Sequence, residues 1–132
     1  FGKISPTLSL LGGVEYIKSR QVNTGLENFG VPRLRARIGL DWETPVRGLS
    51  VGGSLLHTGS QWADSGNKLR VPSWNRLDLM AKYDTRFGAT PVRFNASVEN
   101  VTDKKYWIGM FTDGFVMPGA PRTFRVSATV SF

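Results

Sequence analysis

Residues able to do chemistry are sparse in this chain of 132 residues. His57 is the single histidine, and cysteine is absent. A zinc-like metal site needs several nitrogen or sulfur ligands, and a Ser-His-Asp triad needs a matching set of partners. We therefore expect no metal site and no enzyme activity, with His57 in a structural role.

Aromatic side chains in predicted loops are the candidate ligand contacts. Rigid rings supply contact area at a low entropic cost, so loop aromatics suit the capture of a small ligand. The candidates are Trp62, Tyr106, Trp107 and Phe111. Packing within the loops is the competing interpretation, as is a rim girdle for Tyr106 and Trp107.

Positive charge is in excess, with 17 Lys and Arg against 10 Asp and Glu, for a net charge of +7. Such a balance suggests anionic partners. Arg33, Arg35 and Arg37 share one face of a predicted strand and could bind an anionic ligand or phosphates. Pairing with carboxylates on neighbouring strands is the interpretation that we favour for them.

The elements that position these residues are predicted to be strands, because apolar and polar residues alternate along most of the chain. Six strands are expected, over residues 5–18, 33–44, 49–60, 69–84, 91–101 and 121–132. Their connections alternate between short turns near 44–48 and 85–90 and long loops near 19–32, 59–68 and 102–119. This alternation is typical of outer-membrane barrels. The fold class is therefore all-β, an antiparallel up-and-down meander.

Each clear strand has one face free of charge and one face rich in it. A charge facing lipid at mid-depth costs about 2–4 kcal/mol, so a membrane barrel explains the segregation. A soluble sandwich or soluble barrel alternates in the same way and stays an alternative on periodicity alone. Bacterial membrane barrels start at about eight strands, so the membrane interpretation makes residues 1–132 one portion of a larger barrel.

Three blocks in the second half of the chain resemble motifs of TonB-dependent receptors. Residues 98–107 (V-E-N-V-T-D-K-K-Y-W) resemble the "NLFDKxYY"-type motif on the penultimate strand of that family. Residues 119–132 (G-A-P-R-T-F-R-V-S-A-T-V-S-F) resemble the final strand, which opens with "G-x-PR" and closes on an aromatic residue. Residues 71–79 (V-P-S-W-N-R-L-D-L) are similar to the "P-x-Y-x-x-x-D" strand opening, with tryptophan in place of the usual tyrosine.

The resemblance implies a barrel of about 22 strands with an N-terminal plug, in the bacterial outer membrane. This chain would be the C-terminal part of that barrel, with the plug absent. The implied function is import of a ferric siderophore, with a ferrichrome-like ligand as the narrower expectation. No bond would be made or broken, and iron would be present only as the bound ferric siderophore. The implied partners are membrane lipid, lipopolysaccharide, the siderophore and TonB (through the plug), and not nucleic acid.

Phe132 is then expected to be the terminal aromatic residue that the outer-membrane assembly machinery recognises. Two alternatives to the family function stay open. One is a soluble six-stranded β-domain that binds an anionic ligand or nucleic acid through its basic face. The other is a smaller complete barrel that acts as an adhesin, a porin or a lipid enzyme.

Overall fold

Antiparallel strands account for most of the chain, as the alternation predicts. The computed structural model describes the backbone of residues 1–132 and the side chains of residues 1–108 and 113–132. The strands are β1 Gly2–Lys3, β2 Leu8–Tyr16, β3 Leu34–Glu43, β4 Leu49–Thr58, β5 Gln61–Trp62, β6 Arg70–Val71, β7 Trp74–Phe87, β8 Thr90–Glu99, β9 Trp107–Thr112, β10 Phe115–Pro118 and β11 Thr123–Val130. Among the described residues, no helix is long and apolar enough to span a membrane.

One large sheet contains all six of the predicted strands. Its seven strands run in the order β1-β2-β3-β4-β7-β8-β11, and every neighbouring pair is antiparallel. The up-and-down meander is therefore confirmed. Two short hairpins, β5–β6 and β9–β10, were not indicated by the sequence. The first joins the predicted loop 59–68 to the start of the predicted strand 69–84, which is therefore divided into β6 and β7. The second lies within the predicted loop 102–119.

The register places most apolar residues of the long strands on one face of the sheet. Ile38 is opposite Leu55, which is opposite Leu77 on the next strand. No second layer covers this face within the described part of the chain, because Ile38, Leu79 and Val126 are 50%, 45% and 81% exposed. A soluble sandwich would bury these side chains in a core. That alternative is therefore wrong, and the apolar face is suited to meet hydrocarbon.

The short turns lie at one rim of the sheet and the long loops at the other. At the short-turn rim, Gly48 adopts a φ of 82° between β3 and β4. Its carbonyl accepts a hydrogen bond of 2.8 Å from the Asp84 amide. A Cβ at this position would lie 2.2 Å from the Asp84 carbonyl oxygen, so both the turn and the close approach require glycine.

Buried side chains concentrate at the long-loop rim. Most of them lie in or next to the three long loops, which are residues 17–33 (first loop), 59–73 (second loop) and 100–122 (third loop). The buried residues of this region are Pro32, Gln61, Ala63, Val71, Trp74, Asn100 and Tyr106. The packed interior of the described chain thus lies around its loops, and a functional site is expected there.

Candidate functional site: the long-loop cluster

The first and second loops are joined at Glu27. The Nε1–H of Trp62 donates a 2.7 Å hydrogen bond to Oε2 of Glu27. The side-chain amide of Asn67 pairs with the backbone of Glu27, accepting from its N–H at 2.8 Å and donating to its carbonyl at 2.9 Å. Arg33 forms an ion pair with the other carboxylate oxygen. Both the backbone and the side chain of Glu27 are therefore held in place.

The charge state of Glu27 follows from these contacts. Burial opposes ionisation of its carboxyl group, but the hydrogen bonds from Trp62 and Arg33 and the positive charges of Arg33 and Arg20 outweigh it. Their combined effect holds the pKa of Glu27 below its ordinary value. Glu27 is thus an anionic centre within a basic surrounding.

Trp62, the predicted ligand contact of the second loop, is half-buried. The guanidinium of Arg70 lies 5.2 Å from the centroid of its ring. Arg70 is itself fixed, because its Nε and NH2 groups donate to the Ser60 hydroxyl at 3.1 and 2.7 Å. The backbone carbonyl of Trp62 accepts from the Gly30 amide at 2.8 Å, which ties it again to the first loop.

Asp113 joins the third loop to the second. Its carboxylate accepts from the Ser65 amide at 2.8 Å and from the Ser65 hydroxyl at 2.6 Å. The hydroxyl bond first, and then the amide bond, lower the pKa of Asp113. The Ser65 carbonyl in turn accepts from the Gln21 side chain at 2.6 Å, so the three loops form one connected unit, the loop cluster.

The base of the third loop is organised by Asn100, whose side chain is enclosed at 1% residual exposure. Its Nδ2 donates to the carbonyls of Lys104 and Ala120 at 2.9 and 3.0 Å, and its Oδ1 accepts from the Lys104 amide at 2.8 Å. Its own amide donates to Asp78 on β7 at 2.9 Å. A φ of 56° allows this tight turn, which asparagine tolerates better than most residues. One residue, through its backbone amide and its side chain together, therefore links β7, β8 and the segment that leads into β11.

Tyr106 is only 8% exposed, beside the base of the third loop. Its ring packs on Trp74, with centroids 4.3 Å apart, and Arg76 donates to its hydroxyl at 3.3 Å. Gly119 lies against the same ring, and a Cβ there would lie 2.1 Å from it. This environment agrees with the loop-packing interpretation of Tyr106. The same contact explains why Trp74, a large aromatic residue, lies on the polar face of the sheet: its ring packs against Tyr106 there.

The remaining predicted site residues are not gathered in one place. Trp107 is 44% exposed at the start of β9. Phe111 lies outside the described side chains. Phe132 lies just beyond the end of β11 and is exposed, and its role as an assembly signal stays a prediction.

The polar face carries ion pairs between residues outside the arginine row. Asp78 pairs with Arg76 at 2.9 Å, and Glu99 with Arg125 at 3.3 Å. In the row itself, Arg33 pairs with Glu27 of the first loop and not with a carboxylate on a neighbouring strand. Arg35 is opposite Glu15 in the register, so the expected pairing between strands stays a prediction for it.

His57 makes a polar side-chain contact with the neighbouring strand β7. Its Nδ1 lies 2.7 Å from Oδ1 of Asn75. In the part of the chain whose side chains are described, His, Asp and Glu form no group of three or more that could hold a metal ion.

Sequence reasoning missed the central residue of the loop cluster. Glu27 stands in a predicted loop with no periodic pattern, and its partners Asn67 and Trp62 are 40 and 35 residues away along the chain. The sequence signal for Glu27 was its position six residues before Arg33, and a carboxylate at that spacing does not predict an ion pair.

Comparison with known proteins agrees with this architecture. The family model described as "TonB dependent receptor-like, beta-barrel" matches residues 2–101. The chain belongs to this family. As a TonB-dependent receptor segment it is located in the outer membrane.

Relatives and solved structures of this family cover most of the chain. The "Ferrichrome receptor FcuA" of Yersinia enterocolitica is 32% identical over 112 residues, which is 83% of this chain and 15% of that protein. The "Ferrioxamine receptor" of the same species is 30% identical over 98% of this chain and 19% of its own length. The crystal structure of BauA, the ferric preacinetobactin receptor from Acinetobacter baumannii, superposes with a TM-score of 0.90 at 31% identity, over 100% of this chain and 21% of BauA.

This TonB-dependent receptor segment therefore spans about a fifth of the length of such relatives. It corresponds to a sector of the barrel wall, with the loops that emerge from one of its rims.

Proposed function

We propose that this chain is part of an outer-membrane receptor that imports a ferric siderophore. The observation that supports the proposal best is the loop cluster, which presents one connected surface at a single rim of a membrane-facing sheet. Side chains that are tied together before a ligand arrives lose less freedom when it binds. Relatives whose names state ferrichrome, ferrioxamine and ferric preacinetobactin receptors support the ligand class.

Within that class we propose a ferrichrome-like siderophore, because the relative with 32% identity is a ferrichrome receptor. A siderophore brings its iron fully chelated, so the receptor needs contacts to the chelator rather than ligands to the metal. No covalent step is involved. Energy would come from TonB acting on a plug, and the apolar face would contact lipid and lipopolysaccharide.

Uptake of radioactive iron tests this proposal. A strain that lacks the full-length receptor would be complemented with the intact gene, and uptake of ⁵⁵Fe would be measured with ferrichrome, ferrioxamine B and ferric preacinetobactin as separate iron sources. We expect TonB-dependent uptake from at least one source, with ferrichrome used best. A receptor that is folded and exposed at the cell surface, yet supports uptake from none of the three, would refute the proposal.

Competition between siderophores for binding separates the ferrichrome-like assignment from the broader proposal of siderophore import. If unlabelled ferrioxamine B or ferric preacinetobactin displaces labelled ferrichrome at lower concentrations than ferrichrome itself, the ferrichrome-like assignment is wrong and siderophore import still stands.

A further inference from the structure

We propose that Glu27 is a positioning residue that fixes the indole of Trp62 as a preformed contact for the ligand. This inference rests on the proposed function and names one part of the capture surface. Its ligand is an oxygen-rich chelate, whose apolar backbone would lie on the indole and whose oxygens would accept hydrogen bonds from Arg70.

Trp62 is restrained at three separate points. Its ring edge is held by the 2.7 Å bond from Nε1 to Glu27. Arg70 lies over the ring at 5.2 Å. Its backbone carbonyl is bound to the Gly30 amide at 2.8 Å. Trp62 as a residue is nevertheless only half-buried, so it is not fully enclosed by the loops.

Glu27 can serve as an anchor because other groups hold it independently of Trp62. Asn67 fixes its backbone through two hydrogen bonds, at 2.8 and 2.9 Å. Arg33 fixes the carboxylate oxygen that Trp62 does not use. The remaining charged group that acts on this carboxylate is Arg20, which also favours the ionised form. The carboxylate therefore has a defined position with or without the indole.

The geometry favours a role in ligand capture over a purely structural one. A tryptophan that only filled a loop core would be buried with its N–H satisfied, as tryptophans in interiors usually are. Here the N–H is satisfied while the residue as a whole remains partly accessible. An aromatic contact that is ordered in advance avoids about 0.5–1.5 kcal/mol of ordering cost per side chain, which corresponds to a roughly 2- to 12-fold gain in affinity.

Two measurements on the full-length receptor in detergent test the proposal. The first needs no ligand: the receptor is labelled with 5-fluorotryptophan, and the ¹⁹F resonance of Trp62 is assigned by its loss in Trp62→Phe. We expect Glu27→Ala to shift and sharpen that resonance. Asn23→Ala, at an exposed position of the same loop, should leave it unchanged.

The second measurement is a double-mutant cycle on Kd, with whichever of ferrichrome, ferrioxamine B and ferric preacinetobactin binds the unmodified receptor. Glu27→Ala and Trp62→Phe should each weaken binding by roughly 2- to 12-fold, and the double variant should bind no more weakly than the weaker of the two single variants. Glu27→Gln keeps an acceptor for the indole N–H and should recover part of the affinity.

The outcomes are distinguishable. Additive losses in the cycle, or unchanged affinity in Glu27→Ala, would overturn the positioning role even though the receptor binds its siderophore. An unaltered ¹⁹F resonance in Glu27→Ala would overturn it without any ligand. If the unmodified receptor bound none of the three siderophores, the proposed function and the ligand-contact role would both fail, and the ¹⁹F result would still decide whether Glu27 holds the ring.

Discussion

Replacement of Asn100 by alanine is expected to loosen the turn that joins the last three long strands. The change removes three side-chain hydrogen bonds, to Lys104 twice and to Ala120 once. Neutral hydrogen bonds contribute about 0.5–1.5 kcal/mol each, and a left-handed backbone adds about 1–2 kcal/mol for alanine. With partial relaxation of the turn, we expect the local opening free energy to fall by about 2–5 kcal/mol.

Hydrogen exchange of the full-length receptor in detergent measures this local opening. Two amides report on the turn without touching the deleted side chain: Val101, which donates to Leu77, and Gly119, which donates to Tyr106, both at 2.8 Å. Because each 1.4 kcal/mol is a factor of ten, peptides that contain these amides should exchange about 30- to 4,000-fold faster.

A second variant separates the loss of the hydrogen bonds from the cost of the positive φ. Asn100→Gly loses the same hydrogen bonds but adopts a positive φ without strain, so it should be less destabilising than Asn100→Ala by about 1–2 kcal/mol. Asn23→Ala, at an exposed asparagine of the first loop, serves as the control and should not change exchange at these peptides. If Asn100→Ala changed the exchange rates by less than threefold, the assignment of Asn100 as the organiser of this turn would be wrong.

Three further perturbations test other parts of the structure. Gly119→Ala should destabilise the third loop by about 1–3 kcal/mol, because its Cβ would lie 2.1 Å from the tyrosine ring beneath it, and hydrogen exchange of that loop measures the loss. Since the folded-state pKa of Asp113 is lowered, the link to Ser65 should persist above the ordinary carboxyl pKa and be lost as pH falls through the lowered value, which protease cleavage of the loops against pH would show. Ala96→Arg on the apolar face should destabilise the barrel by about 2–4 kcal/mol in lipid, measured by chemical unfolding in vesicles, and Ser97→Arg on the polar face by much less.

Matched controls make these outcomes interpretable. Gly13→Ala has open space around its added Cβ and should leave the receptor near wild-type stability. In Ser65→Ala, cleavage of the loops should be faster at neutral pH and less sensitive to pH, because the hydroxyl bond to Asp113 is absent. Equal destabilisation by Ala96→Arg and Ser97→Arg would contradict the assignment of the two faces, and an unchanged Gly119→Ala variant would contradict the packing at Tyr106.

The long strands could be predicted because their cause is local. Alternation from Leu34 to Trp42 or from Phe124 to Val130 fixes which side chains share a face, and the register of the sheet then follows from matching those faces. The hairpins β5–β6 and β9–β10 could not be predicted in the same way. Strands of two residues, such as Gln61–Trp62, carry no readable alternation.

The contacts of the loop cluster could not be predicted from sequence patterns, because they join segments that are distant along the chain. Trp62 could be selected as an aromatic residue in a loop, but its partner Glu27 could not, since the contact depends on how two loops fold over one rim. Asn100 lay inside a block that resembles a family motif, yet only the structure shows that its amide binds three carbonyl or amide groups. Trp74 has the alternation of the polar face although it is a large aromatic residue, and its stacking on Tyr106 accounts for that position.

Most buried side chains of this chain lie around its loops, whereas the apolar face of the sheet has no protein layer over it in the described structure. Bilayer thickness and composition act on the exposed apolar wall, where Val126 is 81% accessible, and hardly reach Asn100 at 1%. A bacterium that remodels its membrane with temperature would therefore alter the strain on the barrel wall and leave the geometry of the loop cluster nearly constant. The packing of the loop cluster would then depend little on the lipid composition of the membrane.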